Sequence, residues 1–237
     1  MQPILIVTHA DHEGPGYFAQ TLKRNAIPFH LVAINQGAVL PERVNDYSGL
    51  VFMGGPMSVN DSLPWIEQEL SLIRNAVAAS IPVLGHCLGG QLISKALGGI
   101  VSRNRVREIG WFEVEQVNPH TSVTWFANLP THFPVFHWHS ETFSLPKGAT
   151  SLLRNMNCEQ QAFAIDNTLA LQCHIEMTEE MVRQWVNSAP EEFTHSSGAV
   201  QSVEEITRHL AGRVANLQYV ADSIYAHWLE LIRKESK

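Results

Sequence analysis

The heptapeptide Gly85-His86-Cys87-Leu88-Gly89-Gly90-Gln91, directly after the apolar run Ile81-Pro82-Val83-Leu84, constrains this chain more than any other stretch. It predicts a buried strand over 81–85 that breaks sharply into a helix, with a cysteine at the break. Glycines at 85, 89 and 90 permit backbone crowding that a Cβ would forbid. A thiol at a helix start faces unpaired N–H groups and the positive end of the dipole, and both favour the thiolate. The N–H of Leu88 would then lie beside the sulfur, ready to stabilise an oxyanion. Hydrolases with serine at such a bend follow the same logic. On these residues alone two readings stand: a cysteine nucleophile, or a small buried hydrophobe beside a tight turn.

A second segment, Leu169-Ala170-Leu171-Gln172-Cys173-His174-Ile175-Glu176, favours the nucleophile. Here another apolar strand ends in His-x-Glu, just before Thr178-Glu179-Glu180 opens a helix. A nucleophilic cysteine needs a base, and the base needs an orienting group. His174 fits the first role and Glu176 the second.

With both motifs in hand, the chain resembles the class I glutamine amidotransferases, in particular the stand-alone branch similar to the glutaminase domain of GMP synthase. Met53-Gly54-Gly55-Pro56-Met57-Ser58 resembles that family's second oxyanion loop, and Glu108-Ile109-Gly110-Trp111 a further signature of the branch. His137-Trp138-His139-Ser140-Glu141 falls where the family holds glutamine. These matches run in the family's order from Ile4 to about Met177. Ile175 stands where many members carry proline, a spacer change that alters backbone stiffness more than chemistry. The resemblance implies oxyanion donors at Gly55 and Leu88. It also implies substrate contacts at Gly54, Gln91, His139, Ser140 and Glu141.

A chain of 237 residues can bury a real core as one α/β domain. We expect one unit over 1–237, with a catalytic core over 1–186 and a helical extension over 187–237. The net charge of −7 argues against a nucleic-acid surface. Arg103, Arg105 and Arg107 alternate onto one face of an extended segment, either a solvated face or a docking site for an anionic partner. Three cysteines without paired spacing suggest a reducing, cytoplasmic setting. No secretory signal is expected at the N-terminus, and no apolar segment approaches membrane-spanning length.

The strand and helix periods predict an α/β fold with a mostly parallel central sheet flanked by helices, flavodoxin-like, with antiparallel additions. Ile4–Val7, Phe29–Ala33, Gly49–Met53 and 81–85 read as parallel strands. A helix after Gly14-Pro15-Gly16 should fade near Asn25. Pro64 opens another helix, whose Trp65, Leu70, Ile73 and Val77 form an inward stripe. Ligands in such sheets gather beyond the strand carboxyl ends, where Cys87 and Gly54-Gly55 would both sit. Residues 100–117 and 133–173 read as antiparallel strands, with a hairpin at Asp166-Asn167. Ser202-x-x-Glu205 is a capping box that starts a long helix with a stripe at Val203, Ile206, Leu210, Val214, Leu217, Ala221, Ile224, Trp228 and Ile232. That stripe should pack back on the sheet, with a homodimer or partner contact as the alternative. Residues 187–200 read as a mobile connection.

The chemistry expected is amide hydrolysis. His174 takes the Cys87 proton, the thiolate attacks the glutamine side-chain amide, and two backbone N–H groups hold the oxyanion, at about 3 kcal/mol per donor. Water then cleaves the thioester. Cys173 should point into the core and Cys158 should be a loop or strand-edge thiol. His137-x-His139 could pair on a metal, but no third ligand stands at zinc spacing, so no metal and no cofactor are expected. His9, Asp11, His12 and Glu13 form either a polar rim or a leaving-group contact. No phosphate-binding loop accompanies the motifs. Three function classes therefore stay open: a glutaminase subunit feeding ammonia to a separate synthetase, an independent γ-glutamyl peptide hydrolase, and a weakly active regulatory or binding protein.

Overall fold

The computed structural model describes residues 2–117, 124–126, 128–193 and 198–235. Among these residues nine strands form one sheet in the order β2-β1-β3-β4-β9-β8-β7-β5-β6. One half is parallel and consists of β2 (Phe29–Ala33), β1 (Ile4–Thr8), β3 (Gly49–Phe52), β4 (Val83–His86) and β9 (Thr168–Leu171). The other half continues antiparallel through β8 (Ala162–Ile165), β7 (Thr150–Arg154), β5 (Val101–Gln116) and β6 (His132–Phe143). The hairpin at Asp166-Asn167 joins β8 to β9, with Asp166 at φ 50°. This is the α/β sheet with antiparallel additions that the periods predict.

Alternation along the central strands serves two cores. Ile4 and Ile6 face one layer, formed by α1 (Gly16–Arg24), α4 (Glu179–Ser188) and α6 (Leu210–Glu235). Leu5 and Val7 face the other, formed by α2 (Pro64–Ala78) and α3 (Leu88–Ala96). Burial on both faces is why these strands carry no polar alternation. Helix α6 packs back on the sheet so closely that a Cβ on Gly49 would stand 2.9 Å from both Trp228 and Ile232. Tyr17 and Arg24 of α1 both donate to Asp222 of α6, which ties the two helices at the rim.

Three expectations need correction. In α2, Leu70 and Ile73 are buried, but Trp65 and Val77 are only partly so, and Ile66, Glu69 and Ala76 lie inside. Hydropathy would not place Glu69 there; it is inside because His9 Nε2 stands 3.1 Å from its carboxylate. The capping box at Ser202 forms, but its helix, α5 (Val203–Thr207), ends at once. His209 at φ 54° turns the chain before α6, and the apolar stripe runs on in phase across the break, which hid it. Finally, the described part of 187–200 is docked. Pro190–Phe193 is a 3-10 turn, Ile109 N–H donates to Ala199 at 2.9 Å, and the Gln201 amide exchanges two hydrogen bonds with Trp111 backbone. Residues 194–197 lie outside the described residues.

Two glycine-to-alanine changes should act in opposite directions. A Cβ on Gly89 would collide with the backbone carbonyl of Phe52, so Gly89→Ala should cost about 3 kcal/mol in urea unfolding. Gly212 is an exposed α6 residue with open space around it, so Gly212→Ala should gain roughly 0.5–1 kcal/mol.

Candidate active site

The carboxyl ends of β3, β4 and β9 open onto one crevice, and each delivers part of the site. After β4 the chain passes through Cys87 at φ 50°, ψ −107° before α3 begins. A non-glycine residue in such a conformation costs about 1–3 kcal/mol and persists only where its surroundings fix it. Here Cys87 N–H donates to Leu171 O at 2.8 Å and Gly89 N–H to Met53 O at 3.2 Å, so both neighbouring strands clamp the turn. Gly85 packs on Gly89, and Gly90 on Leu171, without room for a side chain on any of the three. Cys87 is buried but lines a cavity of about 620 Å³, together with Glu13, Gly55, Gln91, Trp138 and His139.

His174 follows β9. Its N–H donates to Phe136 O at 2.8 Å, and its ring Nδ1 lies 2.7 Å from Glu176 Oε1. Trp185 stands perpendicular to the imidazole, with ring centroids 4.9 Å apart, and seals it from water. Burial opposes charge on His174, but Glu176 and Cys87 outweigh it and raise its pKa well above the ordinary value. Burial likewise opposes charge on Glu176, and the charge of His174, with its hydrogen bond, holds its pKa low. Cys87 stands close enough to His174 to favour its charged form by attraction and hydrogen bonding, and its thiol also faces Trp138 O at 3.8 Å. The three side chains that the motifs single out are thus gathered at one place.

The remaining sequence-derived residues fall around them. Gly54 lies against His174, since a Cβ there would stand 3.0 Å from its Cε1. Gly55 faces Leu88 in the same way, at 2.7 Å from Cδ2, so the two expected oxyanion residues adjoin. Leu88 opens α3, where the first N–H groups have no acceptor within the helix. Gln91 is buried one turn along α3 and lines the cavity, and its amide donates to Gln172 Oε1 at 3.2 Å. On the facing wall, His139 Nδ1 lies 2.9 Å from Glu141 O, Ser58 donates to Glu141 Oε1 at 3.0 Å, and Ser140 is exposed at the cavity edge.

Several further residues stand at the site. Gln172 bridges Gln91 and the Cys87 sulfur, 3.7 Å away; it stands inside the quoted motif, but only the strand register turns it toward Cys87. His86 lies behind Glu176, 3.8 Å from Oε2, and bonds the Tyr225 hydroxyl of α6 at 3.0 Å. Burial drives its pKa down to about 4, so it is neutral there. Glu13 reaches over Gly54 toward His174 and the cavity, and burial pushes its pKa up to about 7 despite the attraction of His174. His12 also lines the cavity, whereas His9 turns inward to Gly54 O and Glu69, and Asp11 accepts from Asn35 and Gln36 at the surface.

Cys173 is fully buried in the core, as alternation requires, and burial raises its pKa. Cys158 is buried too, bonded to Thr142 and Gln160, with its pKa raised by burial to about 11. Arg103 and Arg107 line the cavity; Arg103 is exposed to solvent there, and Arg107 pairs with Glu192. The expectation that the His137-x-His139 pair lacks a third ligand does not hold. Pairing of β5 with β6 supplies one, since Glu108 lies opposite His139 and groups with His137.

The architecture and this crevice define a flavodoxin-like α/β protein with a cysteine at a strand–helix elbow and a histidine–carboxylate pair beside it. The family model for class I glutamine amidotransferases matches residues 18–185, and the chain belongs to that family. It is 27% identical to the glutamine amidotransferase-like protein YfeJ of Salmonella typhimurium, over 98% of both chains. It is 37% identical to the glutamine-hydrolysing GMP synthase of Thermomicrobium roseum, over 54% of this chain but 23% of that protein. A crystal structure of a glutamine amidotransferase from Methylobacillus flagellatus superposes with a TM-score of 0.94 at 41% identity, covering 98% of this chain and 95% of the other. Among the described residues no helix is long and apolar enough to cross a membrane.

Because Glu13 loses its proton near pH 7 beside His174, it should contribute an ionisation to catalysis in that range. The pH profile of kcat/KM for glutamine should show an inflection near pH 7 that Glu13→Gln lacks. An inflection of unchanged position in the variant would assign it to another group.

Proposed function

We propose that this protein hydrolyses the side-chain amide of glutamine through a γ-glutamyl thioester on Cys87 and releases ammonia for use by a separate synthetase. The observation that carries this reading is the 2.7 Å His174–Glu176 contact beside a cysteine that is clamped at the elbow and open to the cavity. With Glu176 holding the imidazolium form, the proton rests on His174 and the sulfur is free to attack the amide carbon. Gly55 and Leu88 N–H groups receive the oxyanion. His174 gives its proton to the leaving nitrogen, ammonia departs, and the same ring then activates water to release glutamate. Gln91, fixed by Gln172, and the wall of His139, Ser140 and Glu141 hold the amino-acid end of the substrate. Three free cysteines suit the reducing cytoplasm in which such a thiol survives.

A second reading, cleavage of larger γ-glutamyl amides or peptides without a partner, draws on the extent of the cavity. It runs from Cys87 past Glu13 to Arg103, Arg107 and Glu191, beyond what the glutamyl portion would fill. The same thioester serves either leaving group. Purified protein distinguishes the two: near-zero glutamine turnover that rises with a co-purifying synthetase supports the subunit, and faster cleavage of γ-glutamyl dipeptides than of glutamine supports the peptidase.

Cys87→Ala should abolish covalent labelling by a glutamine-derived electrophile and lower glutamine hydrolysis to background, while the protein stays folded by circular dichroism. Intact-mass detection of the label in that variant would mean that another nucleophile does the work.

A further inference from the structure

Among the described residues, apart from the Cys87 group, a set of ligating side chains gathers at Glu108 of β5 with His137 and His139 of β6. All three are buried, and one ligating atom from each lies within 4.8 Å of the other two. They come together because residues two apart on a strand share a face, and the antiparallel register sets Glu108 opposite His139.

Their hydrogen bonding is incomplete in a specific way. His139 Nδ1 lies 2.9 Å from the Glu141 carbonyl, which only accepts, so Nδ1 carries the hydrogen. The lone pair of a neutral ring then sits on Nε2, which is 3.0 Å from Glu108 Oε2 and makes no hydrogen bond of sound geometry. Two electron-rich atoms at that distance need a cation between or beside them. Neither ring nitrogen of His137 makes a hydrogen bond of sound geometry, although the residue is fully buried; the Phe112 backbone is the polar group within reach. Glu108, by contrast, is anchored from outside: Asn155 and Asn157 donate to Oε1 at 2.7 and 3.2 Å, and Gln161 donates to Oε2 at 2.7 Å.

Side-chain amides fixing a ligand carboxylate, and a backbone carbonyl fixing a ligand imidazole through its far nitrogen, are the outer contacts that metal sites display. A proton on His139 would satisfy its contact with Glu108 but leave His137 with no more than a poorly aligned contact to the Phe112 backbone. One divalent ion would engage all three residues. We infer that Glu108, His137 and His139 bind a divalent transition metal, with two imidazoles and a carboxylate as a donor set suited to zinc. The ion takes no part in the thioester chemistry. Through His139 and the Glu141 carbonyl it stiffens the cavity wall that Ser58 and Glu141 complete.

The test uses Cys87→Ala protein, so that the reactive thiol supplies no adventitious ligand. After chelator treatment and titration with zinc, one ion per chain should survive gel filtration, and Tm should rise. Substitution by cobalt should give visible d–d bands without a thiolate charge-transfer band. Adding His137→Gln or Glu108→Gln should weaken zinc binding at least tenfold. The inference is overturned if no ion is retained, if a thiolate band places the metal on Cys158 or Cys173, or if both second substitutions leave the affinity unchanged. Should those variants misfold, the cobalt spectrum of the Cys87→Ala parent decides. None of these readouts depends on glutamine turnover, so they stand apart from the reading of the Cys87 site.

Discussion

The turn at Cys87 has to be held against its own backbone preference, and that requirement organises the middle of the molecule. A β-carbon-bearing residue at φ 50°, ψ −107° would relax if it could. It is kept there by hydrogen bonds to Leu171 of β9 and Met53 after β3, and by three glycines that let α3 sit directly on both strands. The strands that clamp the elbow are the ones whose following residues stand around the sulfur. Gly54-Gly55 follow Met53, and His174 lies three positions beyond Leu171. Strain at one residue and convergence of three loops are therefore a single structural fact. The order β3-β4-β9 in the sheet is what makes it so.

Charge at the site is controlled by burial in layers. The His174–Glu176 pair is almost wholly removed from water, which makes each ion costly alone and the contact between them strong. Trp185 closes one side of the imidazole. Behind the carboxylate lies neutral His86, itself bonded to Tyr225 of α6. A helix read from the sequence as an extension beyond the catalytic core thus reaches to within two side chains of Glu176. Its apolar stripe explains why it packs on the sheet; Tyr225 explains why its position there matters to the site.

Much of this was legible from residues alone, for physical reasons that differ by element. Runs such as Ile4–Val7 mark strands buried on both faces, and the glycines flanking Cys87 mark an elbow, because both follow from local sterics and burial. His174 and Glu176 were legible because two residues apart on an extended segment fall on the same side. Contacts that depend on register between distant strands were not. Glu108 meets His139 only after an irregularity between Arg103 and Glu108 shifts the pairing of β5 with β6. Glu69 was missed because hydropathy assigns carboxylates to solvent, whereas His9 from another element holds it inside. Glu13 was legible as a rim or leaving-group contact, but its burial beside His174 was not. The break at His209 left no trace, since no glycine or proline marks it and the stripe stays in phase.

The two halves of the sheet divide the labour of the site. The parallel half carries Cys87, Gly54-Gly55 and the His174–Glu176 pair, one to five residues beyond the ends of β4, β3 and β9. The antiparallel half supplies the opposite wall: Trp138 O faces the Cys87 sulfur, and His139 and Glu141 border the cavity from β6. That wall is in turn backed by the segment after α4, where Glu192 pairs with Arg107 of β5 and Phe193 packs on Trp138. Displacing a reacting group would require the elbow to come apart, whereas the far wall can change through side chains on one ribbon and one connecting segment. Differences in leaving group or partner among proteins of this architecture should therefore be written in β5, β6 and residues 188–193, with the parallel core left alone.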